Sequence, residues 1–565
     1  MPETSYWERY AARRIRRRVF LGGVAVTGLG AAGFVAGCGG KSKPAAPEST
    51  GTAATSATAA PVKGGTLTLH DDGDPPSFDY MKTPNYRSVM YAAMVYPRLL
   101  KYATGPGIGP IDYRSVPDLA AAMPEQPDTT TYVFKLRKAR WEEKAPLNGR
   151  AVTAHDVLQN WERFRTASVN RLLLKDVNKV EAVDDQTVRF TLSKPLGPFL
   201  NHLTAPNMFC IQPPELFDGD QLKKDMWSAG PFLFRGYQVG AQVAFERNPS
   251  YFIPDRPYLD RVLYKIVPDP STTMSALRTK DLDSLGWTGV VGANDVSSLK
   301  GALPGGTFLP YPRQGNNWLG FDLNERVFQD KRVRQALSMS LNRDDLIRPY
   351  GQGMWCLPYG VLNEFYFDPT KGAFPNAKYY AHNPGEAKAL LSAAGADKIG
   401  PYDFLASNVW TPGQLQDAEL TQQELKAVGV TTNLKSLPFA EFYSTVVTGG
   451  KWKGGFAIGA NLVAADPDVY FAVLWAPGSP RLLAPGLGPL LSDDAELLAA
   501  IEKQRRELDP RKRTEDVKNV VDIMADRMYN VPHVLDISYH IHQANVHMSW
   551  IFTMGQEYLV DAYRT

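Results

Sequence analysis

Cysteine is nearly absent: Cys38, Cys210 and Cys356 are the only three in 565 residues. Three thiols cannot build a disulfide framework, so a chain of this length must be held by hydrophobic cores. Histidine is scarce too, at eight residues, and none stands in a His-Glu-x-x-His zinc pattern. Gly-x-Ser-x-Gly elbows and phosphate loops are missing. The acid pairs Asp71-Asp72 and Glu142-Glu143 are adjacent, and in an extended segment neighbours point to opposite faces. No catalytic constellation emerges, which predicts a protein that is not an enzyme and needs neither cofactor nor metal. An excess of one charge is also lacking, with 62 basic against 59 acidic residues. Six of the arginines fall within residues 1–37, so the remainder is slightly acidic. Such a body lacks the basic face that nucleic acid requires.

What is present begins at the amino terminus. Arg16-Arg17-Arg18-Val19-Phe20-Leu21 leads into an apolar, Gly- and Ala-rich run to Val35. A twin arginine before x-Phe-Leu resembles a Tat export signal. Val35-Ala36-Gly37-Cys38 resembles a lipobox, in which the Cys38 thiol accepts diacylglycerol. Residues 1–37 are therefore expected to be a lipoprotein signal peptide, and the mature chain to begin at a lipidated Cys38 outside the cytoplasmic membrane. Residues 38–61 carry no aromatic side chain and read as a lipid-anchored flexible tether. Beyond it no stretch approaches the ~20 apolar residues of a spanning helix.

The body mixes strand and helix patterns. Thr66–Leu69, Thr131–Arg137 and Thr187–Leu192 alternate as strands, and Thr153 is placed to cap a helix with Asp156 three residues on. Asp330 is placed to cap another, with Val333, Ala336, Leu337, Ser340 and Leu341 on one stripe. Glu386–Ala394 and Gln414–Val428 read as helices stopped by Gly395 and Gly429, the second followed by a strand over 430–437. The mixture predicts an α/β fold in two lobes.

About ten segments also match one family in order and spacing. They include Gly64-Gly65-Thr66-Leu67, Val116-Pro117-Asp118-Leu119-Ala120, Val152-Thr153-Ala154-His155-Asp156-Val157, Ala229-Gly230-Pro231-Phe232 and Arg247-Asn248-Pro249-Ser250-Tyr251. In the second half stand Trp318-Leu319-Gly320-Phe321-Asp322, Val333-Arg334-Gln335-Ala336-Leu337, Leu341-Asn342-Arg343, Asn383-Pro384 and Asp466-Pro467-Asp468. The chain resembles the extracellular solute-binding proteins of the dipeptide, oligopeptide and nickel class of ABC importers (bacterial solute-binding protein family 5). The resemblance implies a two-lobed periplasmic-binding-protein fold of class II type. Lobe one would span 62–268, with an extra subdomain near 85–200, and lobe two 269–540, with 541–565 returning to lobe one. Hinge crossings are expected near Pro268-Asp269-Pro270 and Tyr539-His540. The ligand, a peptide or other small solute, would bind between the lobes of a monomer, which then delivers it to a membrane permease and its ATPase. A receptor of the same fold used for sensing or envelope assembly, and more distantly a tethered hydrolase, are the alternatives.

A cleft needs aromatic faces and a few fixed polar groups. The candidates are Asn85, Tyr86, Trp287, Asn317, Trp318, Trp410 and Asn461. In peptide-binding members of the family an acid shortly before the Asp-Pro step pairs with the ligand's ammonium. The matching stretch here, Asn461-Leu462-Val463-Ala464-Ala465, holds none. Either the ammonium is held elsewhere or the ligand has none, as in a sugar or blocked peptide. His540-Ile541-His542 is expected to be a strand near the hinge rather than a metal pair. Cys210 and Cys356 are expected to be free buried thiols. Arg505, Arg506, Arg511, Lys512 and Arg513 are expected to form a solvated helix face.

Overall fold

The computed structural model describes residues 61–565, apart from 84, 106, 287–290, 314–315, 361, 363, 408–412, 448–451, 462–463, 480–481 and 553–556. Cys38, Trp287 and Trp410 thus lie outside the described residues. Two large apolar clusters organise the chain from Val62 to Thr565, and each is called a body below.

In body one, strand β1 (Thr66–Asp71) leads into helix α1 (Tyr86–Val95). Leu67 and Leu69 of β1 are fully buried, as the alternation requires. A further set of strands and helices follows. Strand β2 (Thr131–Lys135), helix α2 (Ala154–Ala167), the hairpin β3 (Val177–Asp184) and β4 (Thr187–Leu192), and the short helix α3 (Phe199–Thr204) make it up. The three strands pair antiparallel in the order β2-β4-β3. Thr153 and Asp156 form a reciprocal capping box at the start of α2. The chain then returns through β5 (Phe232–Gln238), β6 (Gln242–Arg247) and β7 (Arg261–Ile266). They complete a sheet ordered β1-β7-β6-β5, in which β1 and β7 run parallel.

Strand β8 (Thr307–Pro312) precedes body two, which is built on a five-stranded sheet. Its elements are β9 (Asn316–Phe321), α4 (Lys331–Ser340), α5 (Pro384–Ala393), β10 (Ile399–Ala406), α6 (Gln414–Ala427), β11 (Val430–Ser436) and β12 (Gly455–Asn461). After them come α7 (Pro467–Leu474), α8 (Ala495–Arg506), α9 (Pro510–Arg527) and β13 (Asn530–Pro532). The sheet order is β11-β10-β12-β9-β13. Asp330 caps α4 by accepting from the Arg332 amide, and Gly395 and Gly429 adopt positive φ just beyond α5 and α6. Among the described residues no helix is long and apolar enough to cross a membrane.

Strand β14 (Val534–His542) leaves body two and pairs antiparallel with β8. Ser284 bridges to Leu69 on one side and to His542 on the other, tying β1 to β14 through a single residue. His540 is buried on this strand, stacked on Trp550 at 4.5 Å and within 3.2 Å of the Ser284 hydroxyl. The chain end then packs back into body one. Trp550 and Phe552 lie against Tyr311, and Ile551, Tyr558 and Leu559 are fully buried in the first cluster. At the very end the Arg564 guanidinium donates to the Thr66 carbonyl and, at 3.1 Å, to Asp283.

Candidate functional site

Parallel strands present their carboxyl ends to the crevice where ligands bind in α/β sheets. Here β1 ends in Asp71 and runs on to Asp72, with the amino end of α1 beside them. Asn85 is the N-cap of α1, its side chain accepting from the Arg87 amide at 2.9 Å, so this candidate already has a local structural role. Tyr86 donates its hydroxyl to Asp72 at 2.9 Å and carries the Arg87 guanidinium 4.6 Å above its ring. Arg87 donates to Asp71 at 2.9 Å and also to Asp72, while Tyr91 donates to Asp71 at 2.5 Å. Asp71 is wholly buried, and burial pushes its carboxyl up to about 6 despite the Tyr91 and Arg87 hydrogen bonds. Asn85, Tyr86 and Arg87 are partly exposed, and Asp72 is exposed.

Of the tryptophans expected at the cleft, Trp318 lies among the described residues. Trp318 is 0% exposed and lies in the β9–β12 pairing directly opposite Gly459. A Cβ at Gly459 or at Gly320, two residues along the same strand face, would lie 2.7 Å from the indole. Two glycines therefore make the room, and the ring lies against backbone rather than offering a face to a ligand. Asn317 is also buried, its amide donating to the Val534 carbonyl at 2.7 Å. That bond ties β9 to the crossing strand β14. Asn461 ends β12 opposite Asn316, and its side chain lies outside the described residues.

The two bodies meet along α7. Tyr470, Phe471 and Leu474 belong to the core of body two, whereas Ala465, Val469 and Ala472 pack on that of body one. Asp466 caps α7 and receives two hydrogen bonds from Arg513, at 2.8 and 2.5 Å. Asp468 receives Arg505 at 2.5 Å and the Gln504 amide at 2.9 Å. Body one adds Asn201, donating to Asp466 at 2.9 Å, and His202, whose Nε2 is 2.9 Å from Asp468. Burial alone would raise both carboxyls. Arg513 beside Asp466, and Arg505 with His202 beside Asp468, outweigh it and hold both below the ordinary carboxylate range. The basic run is thus only partly the solvated face the sequence suggested: Arg511 and Lys512 are exposed, but Arg505 and Arg513 turn inward. Arg505 and Arg513 are 4% and 5% exposed, because the two acids on α7 require cationic partners once buried.

Glu364 was not singled out by the sequence. It stands two residues after the buried Leu362 and directly before Phe365, whose ring lies 5.2 Å from the Arg513 guanidinium. Its carboxyl reaches solvent but is crowded by protein, and burial raises its pKa, with the nearby Asp466 and Asp112 adding to the rise against Arg513. Among the described residues it has no hydrogen-bonding side chain of opposite charge. Cys210 and Cys356 are free and buried, as expected, and burial pushes the Cys356 thiol up to about 12.

Residues 114–480 match the pattern of the Bacterial extracellular solute-binding proteins, family 5 Middle. The Dipeptide-binding protein of Escherichia coli strain K12 is 25% identical over 454 residues, covering 74% of this chain and 80% of that protein. Di/tripeptide-binding protein 1 of Pseudomonas aeruginosa is 24% identical over 519 residues, covering 85% and 91%. Among solved structures, the periplasmic binding protein DppA of Helicobacter pylori in complex with the peptide STSA superposes with a TM-score of 0.72 at 22% identity, covering 89% of this chain and 98% of that one. AgaA of A. tumefaciens R10 in complex with agropinic acid gives 0.71 at 23% identity, covering 89% and 99%. The fold is that of the two-lobed periplasmic binding proteins, and the role is capture of a solute, outside the cytoplasm, for an ABC importer. The chain belongs to the bacterial extracellular solute-binding proteins, family 5.

Proposed function

We propose that the solute is a short peptide with a free amino terminus, and that the chain delivers it to a permease and ATPase as a monomer anchored by lipid on Cys38. The observation that carries the peptide reading is Glu364, a solvent-reaching carboxylate beside the line where the bodies meet, with no cation committed to it among the described residues. An ammonium drawn out of water needs such a partner, and the stretch 461–465 does not supply one. The two relatives named for peptides, aligned over most of their length, are consistent with it. Tyr86, Trp287, Trp410 and Asn461 are the other side chains assigned to the cleft in this reading. No step of it requires bond making or breaking.

The test starts from the body expressed from Gly39 onward, with mass spectrometry of whatever co-purifies. Short peptides are the expected outcome. Calorimetry then compares a dipeptide with its N-acetylated form against wild type and Glu364→Gln. Losing one member of a desolvated charge pair costs about 2–5 kcal/mol, so the substitution should weaken the free-amine peptide by well over tenfold. The acetylated peptide should be indifferent to it. A sugar or other neutral solute in the purified protein would overturn the peptide reading.

A further inference from the structure

Lys101 stands in the short strand Leu100–Tyr102 and is only 9% exposed. Its ammonium makes no hydrogen bond or ion pair with any described residue. The side chain lines a small pocket of body one, with Met94 in the last turn of α1, Arg98, Asp118, Phe232, Tyr251 and Val560 around it. The free space admits about one particle the size of a water molecule. This pocket is separate from the crevice: Tyr86 opens α1 and Met94 lies near its other end, about 12 Å along the axis. The charged neighbours are engaged elsewhere. Asp118 is buried, and its carboxylate accepts from the Arg98 amide at 3.0 Å and from the Tyr251 hydroxyl at 3.3 Å. Arg98 is buried too and donates its guanidinium to the Thr204 carbonyl at 3.2 Å. The carboxyl end of a helix adds roughly half a negative charge. Even with that counted, two cations and one carboxylate leave the lining positive.

We propose that this pocket binds a single monovalent anion, a chloride ion, on the Lys101 ammonium. A cation withdrawn from water is costly unless a counter-charge meets it, and the described residues place none at this ammonium. The lining selects the kind of anion. Met94, Phe232 and Val560 present apolar walls, and the room suits one atom-sized ion. A sulfate or phosphate brings four oxygens and a second charge, which the three donors of one ammonium do not satisfy. The ion takes no part in solute capture; its role is structural. Val560 comes from the returning chain end, whereas Lys101 and Phe232 belong to earlier parts of body one. An ion seated among them stabilises the body only once that end has packed.

Urea unfolding of the body from Gly39 onward tests this, without solute and at constant ionic strength, as sodium gluconate is replaced stepwise by sodium chloride. Gluconate is too large for the pocket. An ion bound by the folded state alone lowers the unfolding constant about tenfold for each tenfold rise in chloride above its dissociation constant. Lys101→Met keeps an unbranched apolar side chain in place, and it should fold and lose that dependence. Crystals of the wild type soaked in sodium bromide should show an anomalous peak beside the Lys101 Nζ. Identical chloride dependence in wild type and Lys101→Met would overturn the proposal, because the ion would then act elsewhere. So would a wild type indifferent to the exchange of salts. A pocket without bromide would overturn it as well, showing that water alone meets the ammonium, and that result stands even if the variant does not fold.

Discussion

Replacing Trp318 separates two roles that the sequence could not. If the indole lines the cleft, Trp318→Ala costs affinity and spares the fold. The structure assigns the opposite. The side chain is wholly buried between Gly320 and Gly459, and truncation leaves an indole-sized hole that two glycine backbones cannot fill. Large aromatic-to-alanine changes in such settings cost about 3–5 kcal/mol. The Nε1–H has no hydrogen-bond partner among the described residues, so the indole already carries a desolvation cost of about 1–3 kcal/mol. Trp318→Phe removes that N–H while keeping much of the apolar volume, and should lose less than about 2 kcal/mol. Gly459→Ala pushes a methyl group to 2.7 Å from the indole and should cost about 1–3 kcal/mol through overpacking. In the double variant Trp318→Phe with Gly459→Ala, the shorter ring leaves room for that methyl. The two costs should therefore add to less than their sum, by at least 0.5 kcal/mol or so. Urea unfolding followed by circular dichroism gives all four values. A Trp318→Ala protein with an unchanged unfolding midpoint and lost solute binding would refute the assignment to the core.

Two further outcomes are expected. Glu424 accepts from the Asn342 amide at 2.9 Å, and burial pushes its carboxyl up to about 7. A raised folded-state value means its stabilising contribution is complete below about pH 4.5 and is lost as pH rises through 7. Glu424→Gln should therefore gain on the wild type by up to about 3 kcal/mol at pH 8 and not at pH 4, measured by urea unfolding at the two values. Cys356, fully buried with its thiol raised to about 12, should resist a chromogenic disulfide reagent in the native body and react once urea unfolds it. Rapid reaction in the folded state would show that the site opens locally.

Local structure was the most legible layer. Thr153 with Asp156, Asp330 before α4, and Gly395 and Gly429 after their helices do in the fold what their types dictate, because caps and left-handed stops are decided within a turn of chain. The family motifs were legible as signatures but not as chemistry. Arg343, fully buried, has its guanidinium on the carbonyls of Pro532, Ser338 and Tyr380. Arg334 likewise holds the carbonyls of Arg527, Phe328 and Gln329. Both fix chain crossings, and among the described residues neither is paired with a carboxylate. The site was the least legible. Whether Trp318 faces a ligand or a core depends on Gly459, far away in sequence, and Arg505 and Arg513 of the basic run turned inward because two acids on another helix met them there. The presence of small residues beside a large one in β9 was a usable signal: Gly320 lies on the same face as Trp318.

The order in which the chain is made does not match the order in which its cores can close. Body two draws its apolar cluster from one continuous stretch, Trp318 to Val534. Body one starts earlier but needs Val546 to Ala562 to complete its cluster, with Trp550 and Phe552 set on Tyr311 and Arg564 fastened to β1. During synthesis, then, the first body to appear is the last that can be finished, while the inserted body can settle before it. A chain released short of its final residues would carry a complete body two beside an open-sided body one. Even a small deletion within residues 546–564 should therefore act at a distance on strand β1.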